Sequence, residues 1–175
     1  MSSGFLKTVR EAETTAQPAS AGFRETFSNL IGNRDEIFFE DYWEKHPVFF
    51  DRQKVKDNFI NEDVFSKCKL LEIIDMIELP IETNLSAVSY IDTERQSWSF
   101  KSDVASSKEV QSAFKKSFTV QFFQPQRFSD ELHFINAGFE NIFGSLAGAS
   151  AYLTPAKSQG LAPHHDDVDV FVLQV

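Results

Sequence analysis

The sequence predicts an α+β chain, and three observations carry that prediction. Apolar residues recur three and four apart through most of the first 80 positions, the spacing of helices that bury one face. From Leu85 onward the pattern switches in places to alternation, the period of strands. Near the C-terminus an apolar run, Val168 to Leu173, follows directly on a His-x-Asp pair, His164 and Asp166.

Residues 1–21 are small and polar, with Ala-Gln-Pro-Ala-Ser near their end, and read as a flexible tail. Phe23, Phe27, Leu30 and Ile31 then share a helix face. Asp35 can cap a second helix, in which Phe38, Tyr42 and Trp43 lie together. Pro47 stops that helix, and Val48-Phe49-Phe50 reads as a short strand. Another helix is expected to open at Asn61, with Val64 and Phe65 inward. Leu70, Leu71, Ile74 and Ile77 form a further helical stripe, ended by Pro80.

The next segment alternates, with Leu85, Ala87, Ser89 and Ile91 on one face and Ser86, Val88 and Tyr90 on the other. Trp98-Ser99-Phe100 is expected to return as a hairpin partner across a charged turn at Asp92 to Gln96. Ser107 to Phe118 has helical spacing, and Val120-Gln121-Phe122 is a strand. Ser129 caps a long helix whose buried stripe is Leu132, Ile135, Phe139, Ile142, Phe143 and Leu146. Asp130 and Glu131 sit favourably at its positive end. Ala149 to Leu153 and Val168 to Leu173 are the last expected strands, the second apolar enough to be buried on both faces. Such an order suits the first part of a double-stranded β-helix, or cupin barrel, behind an α-helical front layer.

Composition narrows the function. With 175 residues, 42% apolar content and 19 Phe, the chain can bury a sizeable core. A formal charge of −9 disfavours phosphate-backbone binding and suits a basic protein partner. No apolar run reaches membrane-span length, and the first residues lack signal-peptide architecture. The single cysteine, Cys68, excludes an internal disulfide framework, suits a reducing compartment and is expected to be a small buried hydrophobe.

The chemistry concentrates in Pro163-His164-His165-Asp166-Asp167. Residues i and i+2 of an extended segment point to one side, so an imidazole and a carboxylate there can grip one cation. Two histidines and one carboxylate on one octahedral face hold non-haem Fe(II) and leave positions open for co-substrate and oxygen. His164 with Asp166 supplies two such ligands. His165 with Asp167 has the same spacing on the opposite side. His46 and His133 read as ordinary surface or half-buried histidines.

Three blocks, taken in order, closely resemble the JmjC-type ribosomal oxygenases, most of all the Mina-like histidyl hydroxylases. They are Phe38 to Val48, Gln121 to Phe128, and Tyr152 through the His-x-Asp pair. The resemblance spans Phe23 to Val175 and is most specific from Phe118 onward. It implies an Fe(II)- and 2-oxoglutarate-dependent oxygenase, with O2 as second co-substrate, that hydroxylates a histidine of a basic ribosomal protein. Histone lysine demethylation has also been attributed to the family.

The resemblance sets the ligand histidine directly after Pro163, which selects His164 and Asp166. It places an aromatic residue where this chain has His165. It implies substrate contacts at Tyr152 and at Ser150, where Mina-like members usually carry asparagine. It sets Gln124 and Arg127 near the entrance, where ordering the turn before the long helix is favoured over touching substrate.

The second histidine and the basic residue for 2-oxoglutarate are expected beyond Val175. Residues 22–175 would then be the N-terminal part of a JmjC domain, cut after the first metal-bearing strand. Nuclear and nucleolar localisation and homodimerisation of the full-length protein complete what the resemblance implies. No direct binding of this segment to nucleic acid or membrane is expected from its charge and hydropathy. A non-catalytic truncated isoform and a cupin-like binding module are the competing readings.

Overall fold

The computed structural model describes residues 20–32, 35–51 and 64–175. The expected tail lies largely outside these residues, as does the helix start at Asn61. The described residues pack as two units: 20–32, 35–51 and 137–145 in one, 64–136 and 146–175 in the other.

The first unit is built on aromatic rings. Helix α1, Ser20–Leu30, buries Phe23 and Phe27, and Ile31 follows them inward. Helix α2 begins at Asp35 and widens into a π-helical turn over Phe38–Tyr42. There the Trp43 N–H donates to the Phe38 carbonyl at 2.8 Å, five residues back. The wider turn leaves Trp43 4.4 Å from Phe143 and Phe38 5.6 Å from Phe27, centroid to centroid. Phe27 meets Phe38, Phe139 and Phe143 edge to face, as ring quadrupoles favour. Gly138 on the long helix lets that backbone close on the Phe23 ring, which a Cβ there would strike. Val48 to Phe50 form no strand, and Phe49 is exposed. Alternation is too short a signal in three residues to force pairing.

The second unit is a four-stranded antiparallel sheet of order β2-β1-β3-β4, backed by helices. Its strands are β1 Leu85–Ile91, β2 Glu94–Ser97, β3 Thr119–Phe123 and β4 Ser150–Leu153. Helix α3, Lys67–Met76, starts where the Ser66 hydroxyl accepts from the Lys69 N–H. It buries Leu70, Ile73 and Ile74, while Ile77 lies past its end and is exposed. The stripe keeps Leu70 and Ile74 as expected, with Ile73 rather than Ile77 as its third buried member and Leu71 only partly buried. Val64 and Phe65 sit in a turn before α3 rather than in a helix. Cys68 is exposed on α3, contrary to expectation, because the buried face passes through Leu70 and Ile74.

The β1–β2 hairpin closes on Asp92-Thr93, with φ of 49° and 71°. Two left-handed residues give the turn a twist that matches the strands. The turn is thus shorter than expected, β2 takes up Glu94 to Ser97, and only the Trp98 N–H still reaches β1, donating to the Ala87 carbonyl. Helix α4, Ser107–Lys115, is capped by Ser106 and buries Val110 and Ala113. It ends before Phe118 because the chain turns at Ser117, φ 65°. Helix α5, Asp130–Phe143, opens at Ser129, whose hydroxyl accepts from the Leu132 N–H. Leu146, expected in its stripe, lies beyond the helix and is 94% exposed.

One apolar core holds this unit together. Leu70, Ile73, Ile74, Leu79, Leu85 and Phe122 meet there, with Val110 and Val120 buried among them. The architecture is α+β, an antiparallel part of a cupin-type jelly roll. The expected strand Val168 to Leu173 is absent. These residues have no regular structure, and Val168 and Val172 are 73% and 88% exposed. A strand exists only through its ladder, and no described segment pairs with this one.

Candidate functional site

The register of the sheet decides what can converge. In antiparallel pairs, residues directly opposite share a face. Ser86 pairs Gln121, and Gln121 pairs Tyr152, so the three form one row across β1, β3 and β4. Thr119, opposite Val88, and Ser150, opposite Phe123, belong to the same face. The other face carries Leu85, Ala87, Val120 and Phe122, all in the core.

The polar face is buried as well. Ser86 and Gln121 are each 5% exposed and Thr119 only 1%. Hydrogen bonds make that burial tolerable. The Ser86 hydroxyl donates to Gln121 Oε1 at 2.9 Å, and Gln121 Nε2 donates to the Gly160 carbonyl at 3.3 Å. The Thr119 hydroxyl meets that of Thr154 at 3.3 Å. Gly160 lies flat against β3, where a Cβ would stand 2.5 Å from Thr119 Cγ2. The loop that leads to the His-x-Asp pair is thus seated on this face.

His164 Nε2 and Asp166 Oδ1 lie 3.7 Å apart, with the two side chains about half exposed. His164 Nδ1 is 2.9 Å from the Ala162 carbonyl. The tautomer with its proton on Nδ1 donates there and leaves the Nε2 lone pair beside the carboxylate. That is the usual orientation of a ligating histidine. Two neighbouring ligand atoms each about 2.1 Å from an octahedral cation stand roughly 3 Å apart, so the pair is near that spacing but wider, and would have to close on an ion to share it. His165 and Asp167 are exposed, and no ion pair joins them among the described residues. Among those residues no third His, Cys, Asp or Glu completes a cluster around His164 and Asp166.

The other expected site residues divide. Tyr152 is on the polar face, 47% exposed, and Ser150 is exposed at the start of β4. Gln124 and Arg127 lie at the far end of β3 and bond to each other at 3.4 Å across a 3-10 turn, Pro125–Arg127. Gln124 itself holds a left-handed conformation, φ 54° and ψ 49°. This arrangement orders the turn into α5. His46 and His133 are exposed, away from the pair in sequence. An open concavity of about 540 Å³ beside Trp98 and Phe100 contains none of these residues.

Sequence reasoning gave Ser86, Thr119 and Gln121 no site role. Their signal was polar residues in phase with Tyr152 on alternating strands.

The chain matches known proteins in sequence. Residues 121–175 match the JmjC domain family. Over 151 residues, 85% of this chain, the sequence is 36% identical to ribosomal oxygenase 2 of Rattus norvegicus, covering 32% of that protein. It is 32% identical over 142 residues, 81% of this chain, to ribosomal oxygenase 1 of Danio rerio, covering 25% of it. It is 29% identical over 163 residues, 93% of this chain, to the bifunctional lysine-specific demethylase and histidyl-hydroxylase NO66 of Aedes aegypti, again covering 25%. The chain spans between a quarter and a third of the length of these relatives. With the match beginning at Gln121 on the polar face and running through the His-x-Asp pair, the chain belongs to the JmjC-type ribosomal oxygenase family.

Proposed function

We propose that this chain contributes to an Fe(II)- and 2-oxoglutarate-dependent oxygenase that hydroxylates a histidine of a basic ribosomal protein. The observation that carries the reading is the His164–Asp166 pair, 3.7 Å apart, with the imidazole turned by its bond to the Ala162 carbonyl. Together these two would hold the metal. When bound, Fe(II) with 2-oxoglutarate and O2 supplies the oxidation of an unactivated carbon.

The chain's own residues do the rest. Gln121, Ser86 and Thr119 fill the polar face on which the loop rests. Tyr152 and Ser150, on the same face, are the substrate contacts in this reading, and Gln124 and Arg127 order the adjoining turn. The net charge of −9 supports a basic partner. Lysine demethylation is named for the NO66 relatives, and histone as its target enters only with the family reading. Nuclear or nucleolar residence and a homodimeric full-length protein follow from the family reading.

The test is metal analysis after anaerobic Fe(II) titration of the chain and of three variants. His164→Ala and Asp166→Ala are expected to lose iron while keeping the fold, and His165→Ala to retain it. Loss of iron from the His165 variant alone overturns the ligand assignment in favour of the neighbouring pair. In a longer protein that carries the second histidine and the 2-oxoglutarate-binding residue, mass gain of one oxygen on a histidine of a basic ribosomal-protein peptide, coupled to succinate release, checks the reaction itself. Residues 1–175 alone are expected to give no turnover.

A further inference from the structure

We infer that Gln121 is the positioning residue of the metal loop, acting through Gly160 on the His164–Asp166 pair; this rests on the reading of those two as ligands. The loop from Pro155 to Pro163 has no regular structure and must place its backbone polar groups individually. The Gly160 carbonyl, four residues before His164, is taken by Gln121 Nε2 at 3.3 Å. The amide cannot turn over without loss. The Ser86 hydroxyl donates to Oε1 at 2.9 Å, and an amide oxygen in place of Nε2 would face the Gly160 carbonyl acceptor to acceptor.

Gly160 has no side chain to hold it off. Any Cβ would press on Thr119, so the backbone rests directly on β3. The loop's earlier end is fixed to the same strand by the Thr119–Thr154 hydroxyl pair. Between Gly160 and His164 the remaining bonds are local: Gln159 Nε2 donates to the Leu161 carbonyl, and His164 Nδ1 meets the Ala162 carbonyl. Gln121 therefore supplies the tie that carries the rigidity of the sheet to the histidine's backbone.

Gln121→Glu separates the two halves of this link. It keeps side-chain length and the bond from Ser86, but removes the donor to Gly160. Cobalt(II) is the probe, because its visible bands report ligand geometry and its binding is measured without turnover. The full chain, Gln121→Glu, Gly160→Ala and His164→Ala are titrated, and amide hydrogen exchange is followed in the metal-free proteins.

Gln121→Glu and Gly160→Ala are expected to weaken cobalt binding by about tenfold, the scale of losing an outer-shell partner, and to shift the visible bands. Exchange is expected to quicken at Leu161 to Asp166 and to stay unchanged in β1 and β3. Ser86→Ala, which leaves the donor in place but frees the amide to turn, is expected to show the same changes at smaller size. If the unaltered chain binds cobalt and His164→Ala does not, while Gln121→Glu keeps the parent affinity, spectrum and loop exchange, the inference falls and the metal reading stands. If His164→Ala binds cobalt as the unaltered chain does, the metal reading falls, and the inference with it. Should Gln121→Glu fail to fold, Gly160→Ala acts from the loop side, and unchanged cobalt binding there overturns the inference equally.

Discussion

At β1 and β3 the two faces of the sheet are buried to similar depth by different means. On one, Leu85, Ala87, Val120 and Phe122 meet the apolar side chains of α3 and α4. On the other, Ser86, Thr119 and Gln121 are just as enclosed, but through hydroxyls, one amide and the carbonyl of Gly160. Apolar burial is favourable in itself. Polar burial offsets its desolvation only while each partner stays in place. A protein that carries both on one sheet spends stability on the second, and the second is the face that receives the loop of His164 and Asp166. In the proposed reading the polar face is the one that serves the site, and the contrast can be broken by measuring each face separately.

The largest expected effect is on the apolar face. Phe122 is fully buried and stacks on Phe128 at 5.8 Å. Phe122→Ala is expected to cost about 3–5 kcal/mol, the usual loss for a buried aromatic, read from denaturant unfolding. A loss near zero would mean that this face is not the core of the unit. Next comes the polar face. Ser86→Ala strands Gln121 Oε1 in a buried place, and about 1–3 kcal/mol is expected for an unsatisfied group. If Ser86→Ala cost as much as Phe122→Ala, the polar row would be a structural core in its own right, and the distinction between the faces would collapse.

Positions on neither face set the scale. Thr93 is β-branched and held at φ 71° in the hairpin turn. Left-handed backbone costs an L-residue about 1–2 kcal/mol, and glycine returns part of that as unfolded-chain entropy. Thr93→Gly is therefore expected to stabilise by about 0.5 kcal/mol, visible as a raised unfolding midpoint.

The sequence made much of this legible, for local reasons. Ser129 announces a helix start because its hydroxyl reaches the backbone N–H three residues on. Leu70 and Ile74, like Phe23 and Phe27, announce buried faces by spacing alone. The hairpin's existence was readable, but its two-residue turn was not, since Asp92 and Thr93 are not the glycines such turns prefer. Ile73 replaced Ile77 inside because a stripe of isoleucines and leucines leaves the helical phase undecided.

The misreading of Val168 to Leu173 is the instructive one. Its composition suits a strand, but pairing belongs to two segments at once, and no apolar pattern in one of them can supply the other. The His-x-Asp spacing was legible because it is local. Gln121 was not, because its partner Gly160 lies 39 residues away. Alternation shows which face a side chain takes, never what lies across from it.

The smallest expected effect lies at Glu131, exposed on the first turn of α5, and it sharpens the comparison by marking what a hydrogen bond outside both faces contributes. Its carboxyl is held below the ordinary range, first by a backbone N–H at the helix start and then by the Ser129 hydroxyl, which donates at 2.8 Å. The helix's positive end acts in the same sense. A lowered folded-state pKa means that the ionised form is favoured by folding. The stabilisation is complete above the unfolded glutamate value of roughly 4.3 and is lost as pH falls through the lower folded value. Glu131→Gln is therefore expected to lower the unfolding midpoint slightly at neutral pH, by less than the Thr93→Gly change raises it. The difference from the parent should shrink below about pH 4, where the parent's own carboxylate takes up its proton. A gap that instead widened in acid would show that Glu131 is stabilised in its protonated form, and that the hydrogen bonds at the start of α5 run the other way.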